Sequence, residues 1–273
     1  MNKNTQAGRR TILKAGFAAV TAAAAVPGAH AEIKPKAPGE TKVVAVMGDY
    51  WHNPISQEVQ FRDIFSPNTE WRILFVQSNR FFTPDLISDA DLLILSRSSA
   101  PEHIDWRPDG LSDSAQKGGI LWTDENVAAV INNIRDRGMG LLALHCASYA
   151  RNRAIFDLVG VEPVMHNQVQ PLWVHDTNQD HPITKGIGKF FINLDEQFAA
   201  VIKSHYTTTL FSTTAIHDKR EAVGGWCLEN GKGRIVGLLP GHTPDPYGVP
   251  EYREILWRSA FWAMKRDIPP YRG

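Results

Sequence analysis

Residues Gly140-Leu141-Leu142-Ala143-Leu144-His145-Cys146-Ala147-Ser148 form an apolar run that stops at an imidazole and passes into small residues able to open a helix. The pattern predicts a strand buried on both faces that turns sharply at His145. In an open parallel sheet, ligands bind beyond the carboxyl ends of the strands, so a titratable side chain at such an elbow is placed for chemistry rather than packing.

Reading outward, residues 123–137 carry helical spacing behind Thr123, an N-cap whose acidic first turn complements the helix dipole. Upstream, residues 42–47, 71–76 and 91–95 are short continuous apolar runs, and residues 54–65 supply a helix after the first of them. Strands alternating with helices imply a parallel sheet covered on both faces. Downstream, residues 169–176, 190–198 and 207–214 read as strands. Residues 221–228 and 234–239 flank Asn230-Gly231, which suits a tight hairpin and places antiparallel pairing at one edge. Residues 251–265 have the spacing of a closing helix. The polar stretch 83–120 is long for a connection and is expected to lie over the strand ends.

The chain has 273 residues, 43% of them hydrophobic, enough for the core of one domain, expected over residues 41–268. Residues 1–31 hold Lys3, Arg9, Arg10 and Lys14, no acid, and an alanine-rich tract ending in Ala29-His30-Ala31. Arg9-Arg10 marks a twin-arginine signal peptide, so a periplasmic product with a flexible lead-in over residues 32–40 is expected. No membrane span is expected after leader removal. Four of the 29 basic residues and none of the 29 acids fall in the leader, leaving a net charge of about −4. The basic residues are scattered, which excludes a nucleic-acid-binding stripe. Cys146 and Cys227 are read as buried free thiols.

Three histidines stand at strand ends: His52 in the glycine-bearing turn Gly48-Asp49-Tyr50-Trp51-His52, His145 at the elbow, and His242 beside a glycine in Pro240-Gly241-His242. Gathered on one edge, they would bind a divalent metal through neutral nitrogens or act as acid, base and hydrogen-bond donors. Asp195-Glu196 sits in an apolar strand, where neighbours face opposite ways; one is expected to be buried near the histidines as base or ligand. Spacing leaves open which. Three nitrogens and an oxygen favour zinc. Trp51, Tyr50, Trp173 and Tyr247 are aromatics able to stack on a sugar ring. Gly138-x-Gly140-x-x-Ala143 precedes its strand instead of following it, so no dinucleotide site is expected. Cys146 is one position late to be the elbow nucleophile.

The Trp51-His52-Asn53-Pro54 turn, the 138–147 elbow block, His166, Asp180-His181-Pro182-Ile183-Thr184-Lys185-Gly186-Ile187, Asp195-Glu196, and Gly231-Lys232-Gly233-Arg234 leading to Gly241-His242 together resemble the ThuA-like (trehalose utilisation) family, over about residues 42–265. The resemblance implies a three-layer α/β sandwich, flavodoxin-like and related to class I glutamine amidotransferases, with a mostly parallel sheet and an antiparallel edge hairpin. Amidotransferases of that fold carry a cysteine where this chain has His145, which argues against glutaminase chemistry. A role in disaccharide or 3-keto-glycoside catabolism is implied.

The function expected is therefore an exported carbohydrate isomerase or lyase, assisted by a metal on His52, His145 and His242. His145 and Asp195 or Glu196 would do the proton chemistry, and Trp51, His166 and Tyr247 would hold the sugar. A metal-free hydrolase, a non-catalytic sugar-binding protein and a structural partner of a periplasmic oxidoreductase remain as rivals. A small-molecule carbohydrate is the expected partner, and homo-oligomerisation is open.

Overall fold

The computed structural model describes residues 34–49, 51–67, 70–97, 122–149 and 153–273. The leader, Tyr50 and most of the stretch expected to cover the strand ends, residues 98–121, lie outside the described residues.

Residues Lys34–Gly273 form one unit with eleven strands and six α-helices among the described residues, in the order β1 (Thr41–Met47), α1 (Pro54–Phe65), β2 (Trp71–Val76), α2 (Pro84–Ile87), β3 (Leu92–Ser96), α3 (Asp124–Asn132), β4 (Gly140–Leu144), α4 (Arg153–Val159), β5 (Val161–His166), β6 (Gln170–His175), β7 (Phe190–Asp195), β8 (Phe198–Ile202), β9 (Thr208–Ala215), β10 (Glu221–Asn230), β11 (Gly233–Leu238), α5 (Asp245–Gly248) and α6 (Pro250–Ala263). Nine strands make one sheet in the order β2-β1-β3-β4-β11-β10-β9-β6-β7, and β5 pairs with β8 apart from it.

The five strands from β2 to β11 run parallel. Their apolar runs are continuous because both faces are covered. Along β1, Val43, Ala45 and Met47 enter one core and Val44 and Val46 the other; on β4, Leu142 and Leu144 oppose Leu141 and Ala143 in the same way. The first core is shared with α1 and α6 through Phe61, Ile64, Tyr252, Ile255 and Leu256. The second is closed by α2, α3, α4 and the β5–β8 pair. This is the three-layer α/β sandwich expected.

The antiparallel part is larger than an edge hairpin. Strands β10 and β11 do form a hairpin, but β11 continues the parallel sheet through β4, and β10 carries β9, β6 and β7 beyond it. The hairpin is thus central, and half of the strand pairings within the nine-stranded sheet are antiparallel. Its turn is Gly231-Lys232, closed by the Asn230–Gly233 pair, one residue later than Asn230-Gly231. The stretch 190–198 is not one strand: β7 stops at Asp195 and β8 starts at Phe198. Helix α3 continues through a π-helical turn, Asn133–Arg137, to Gly138.

Lead-in residues 34–40 are tied down. Lys36 donates its backbone N–H to Asp89 and pairs its ammonium with Asp91 at 2.8 Å, while Arg72 donates to the carbonyls of Lys34 and Pro35.

Register fixes what stands at the carboxyl edge of the sheet. Met47 pairs with Ser96, Leu95 with Ala143, and Leu144 with Leu238. The strands β1, β3, β4 and β11 therefore end at one level, and the segments that follow them emerge side by side.

Candidate functional site

His52, His145 and His242 meet at that edge. Their ring centroids are 4.9–5.3 Å apart, and one nitrogen from each lies within 4.8 Å of those of the other two.

Each imidazole is delivered by a constrained turn. After β1, the backbones of Asp49 and His52 exchange both N–H···O bonds at 3.1 Å, closing a tight loop ahead of α1. Asn53 then caps the helix, accepting from the N–H groups of Ile55 and Ser56. After β4, His145 turns the chain with φ of 42°, a left-handed conformation that costs about 1–3 kcal/mol for a residue with a side chain. Strain of that kind gathers at sites where it aims a side chain. After β11, Gly241 takes φ of 142°, and a Cβ there would come within 2.6 Å of the Tyr247 hydroxyl, so only glycine lets the chain reach His242.

Hydrogen bonds fix which nitrogen each ring presents. His145 Nδ1 lies 2.7 Å from the Leu239 carbonyl, an acceptor only, so Nδ1 carries a proton and Nε2 is the nitrogen turned inward. His52 Nδ1 lies 2.6 Å from the Asp49 carboxylate, which likewise makes it the donor. His52 Nε2 then faces His242 Nδ1 at 3.2 Å.

Glu196 closes the group. Its Oε2 is 3.5 Å from His145 Nε2 and 3.4 Å from His242 Nδ1, and its Oε1 takes a 2.8 Å bond from His166 Nδ1. Burial pushes the Glu196 carboxyl up, but the hydrogen bond and charge of His145 and the charges of His242 and His166 outweigh it, holding it below the usual range. His242 is driven down to about 4 by burial and then by His145, against the pull of Glu196. At neutral pH the centre therefore offers a neutral imidazole beside an ionised carboxylate. Three imidazole nitrogens are the protein donor set of an open zinc site, and Glu196 stands beside them. The inward Nε2 atoms of His52 and His145, on rings whose Nδ1 is held by an outer acceptor, fit that use.

The neighbouring groove, of about 230 Å³, runs between the start of α1 and the 241–247 turn, with Trp51, Ser56, Gln60 and Thr243 on its walls and His52 and His242 at its base. Trp51 is 58% exposed. His166, the last residue of β5, is half-exposed and reaches the centre through Glu196.

Two candidates play other parts. Asp195 is fully buried, and its oxygens accept the backbone N–H groups of Gly241, His242 and Thr243 at 2.8–3.0 Å, so it anchors the turn that carries His242 instead of facing a substrate. Burial lifts its carboxyl to about 6 against the charge of His145 and those N–H donors, which leaves it ionised at pH 7. Glu196 is the acid that faces the histidines. Tyr247 is 2% exposed and packs edge-on against Phe61 and Tyr252, so its ring supports the groove and has no face to offer a sugar. Trp173 on β6 meets Phe191 of β7 edge-on and carries the Lys189 ammonium over its ring, and it does not line the groove. Cys146 and Cys227 are free and buried, and burial raises both thiols far above neutrality.

Sequence reading passed over Asp49 and the Leu239 carbonyl. An acid three residues before His52 was a usable signal for the first. Nothing in the sequence marks a backbone carbonyl as the partner of an imidazole 94 positions away.

The model of the family described as ThuA, trehalose utilisation, matches residues 42–263. Among solved structures, a ThuA-like protein from Parabacteroides merdae aligns with a TM-score of 0.66 at 14% identity, over 85% of this chain and 92% of that one. A ThuA-like protein from Bacteroides uniformis gives 0.62 at 13%, over 84% and 94%. A β-galactosidase from Bacillus circulans sp. alkalophilus gives 0.54 at 10%, over 82% of this chain but 31% of that one. At these identities the likeness is one of fold. No curated protein matches the sequence.

Proposed function

The chain belongs to the ThuA family, whose description implies a role in carbohydrate metabolism, and from that premise we propose that it is a metal-assisted isomerase or lyase acting on a disaccharide or 3-keto-glycoside. The observation that carries the reading is the meeting of His52, His145 and His242, with the proton of two of them fixed on the outer nitrogen.

A divalent cation held by these three imidazoles, zinc by its donor set, would keep a position for substrate and supply a Lewis acid for a sugar carbonyl. The chain's own groups do the rest. Trp51 gives the groove an apolar wall on which a pyranose face stacks, and Ser56, Gln60 and Thr243 offer hydroxyl and amide partners to its hydroxyls. The hydrogen-bonded pair of Glu196 and His166 takes the proton from the carbon next to the carbonyl. Returned to the neighbouring position, that proton completes an isomerisation; when a β-substituent departs instead, the outcome is elimination.

Metal analysis of the purified full chain tests this directly. About one zinc per chain is expected, with turnover of 3-keto-glycosides abolished by chelation and by His145→Ala while sugar binding survives. A chain without metal whose turnover ignores chelators would overturn it.

A further inference from the structure

We propose that Asp49 is the positioning residue of this centre, its carboxylate locking His52 as the Nδ1–H tautomer so that the Nε2 lone pair points among the other imidazoles. Its dependence on the metal-binding reading is confined to the affinity measurement below.

At least three donors hold the Asp49 carboxylate. His52 Nδ1 lies 2.6 Å from Oδ1, the Trp51 backbone N–H donates to the same oxygen at 3.0 Å, and the Cys146 thiol donates from the adjacent elbow. Asp49 itself is fully buried, so no water competes for those bonds. The double backbone bridge between Asp49 and His52 leaves the imidazole little freedom to swing away. The elbow thus acts twice: His145 enters the centre, and the next residue braces the acid that orients His52. Free imidazole carries its proton on either nitrogen, and the charge-assisted bond to Asp49 removes that choice.

The same geometry speaks against a rival reading. Asp49, His52 and Cys146 also bring ligand atoms within 4.8 Å of one another, but His52 Nδ1 cannot both donate to Asp49 and bind a metal ion.

Zinc-stripped full chain with ¹⁵N-labelled histidine gives the first readout, long-range ¹H–¹⁵N spectra that report each tautomer. His52 and His145 are both expected as Nδ1–H. In Asp49→Ala, His52 should move toward Nε2–H while His145, held by Leu239, stays unchanged and so certifies the fold. Zinc affinity should fall about 10–100-fold in Asp49→Ala. It should largely recover in Asp49→Asn, whose amide oxygen still accepts the Nδ1 proton. A native chain with His52 as Nε2–H overturns the proposal whether or not any variant folds. So does Asp49→Asn binding zinc as weakly as Asp49→Ala, or a thiolate charge-transfer band in the cobalt-loaded native chain. Should the native chain take up no zinc while the tautomer shift occurs, the metal reading falls and Asp49 keeps its role.

Discussion

His242 carries the largest histidine shift of the centre, down to about 4, from burial and the neighbouring His145. Unfolded, the same side chain titrates near the ordinary value of about 6.5. Between those values the unfolded chain binds the extra proton and the folded chain does not, so stability rises with pH across the window and is lost as pH falls through it. In zinc-stripped protein, urea unfolding between pH 7 and pH 4.5 should show this slope, and His242→Asn should flatten it by on the order of 1–3 kcal/mol. Identical slopes in the two proteins would refute a depressed imidazole. The three histidines were legible because each follows a strand-ending run, His52 and His242 with a glycine in the turn. Tyr247 misled for a related reason: among glycine and prolines it looked exposed, yet the single turn of α5 folds its ring beneath the groove. Asp195 and Glu196 were inseparable because strand alternation assigns faces only while the strand lasts, and this one ends between them.

That ending joins the antiparallel half of the sheet to the site. Strand β7 closes on Asp195, whose carboxylate gathers three consecutive N–H groups of the turn after β11. Asp195→Ala would leave those buried donors without acceptors, at a cost of roughly 3 kcal/mol or more. Asp195→Asn keeps one oxygen acceptor but brings an N–H₂ against donors, and its cost should be smaller. Denaturant midpoints would measure both, and a stability within about 1 kcal/mol of native for Asp195→Ala would show that the turn holds itself. The parallel elements were easy to read, since burial on both faces writes an uninterrupted apolar run such as residues 43–47. The β5–β8 pair was not. Pro163 and His166 dilute the pattern of β5, and β8 is separated from β7 by only Glu196 and Gln197, too short a gap to show in hydrophobicity. The central place of the β10–β11 hairpin was invisible too, because pairing with β4 is a long-range choice that local turn chemistry does not encode.

Across the whole molecule, the centre draws on side chains from His52 to His242, 190 positions apart, bonded ring to ring. Such a donor set exists only in the folded chain, so zinc binding there would presuppose folding. This bears on the leader. Arg9-Arg10 in an acid-free segment ahead of Ala29-His30-Ala31 reads as a twin-arginine signal, and we propose that the chain crosses to the periplasm already folded and carrying its metal. A chain threaded through a membrane unfolded would instead meet zinc only afterwards, in a compartment where Cys146 and Cys227 face oxidation before burial protects them. Replacing Arg9 and Arg10 with lysine should therefore retain the protein in the cytoplasmic fraction, uncleaved and zinc-loaded, while the native chain is recovered from the periplasm beginning near Glu32. Periplasmic recovery of the dilysine variant at native levels would break the link between the leader and folded export. Cytoplasmic retention of a metal-free variant would break the link between folding and loading.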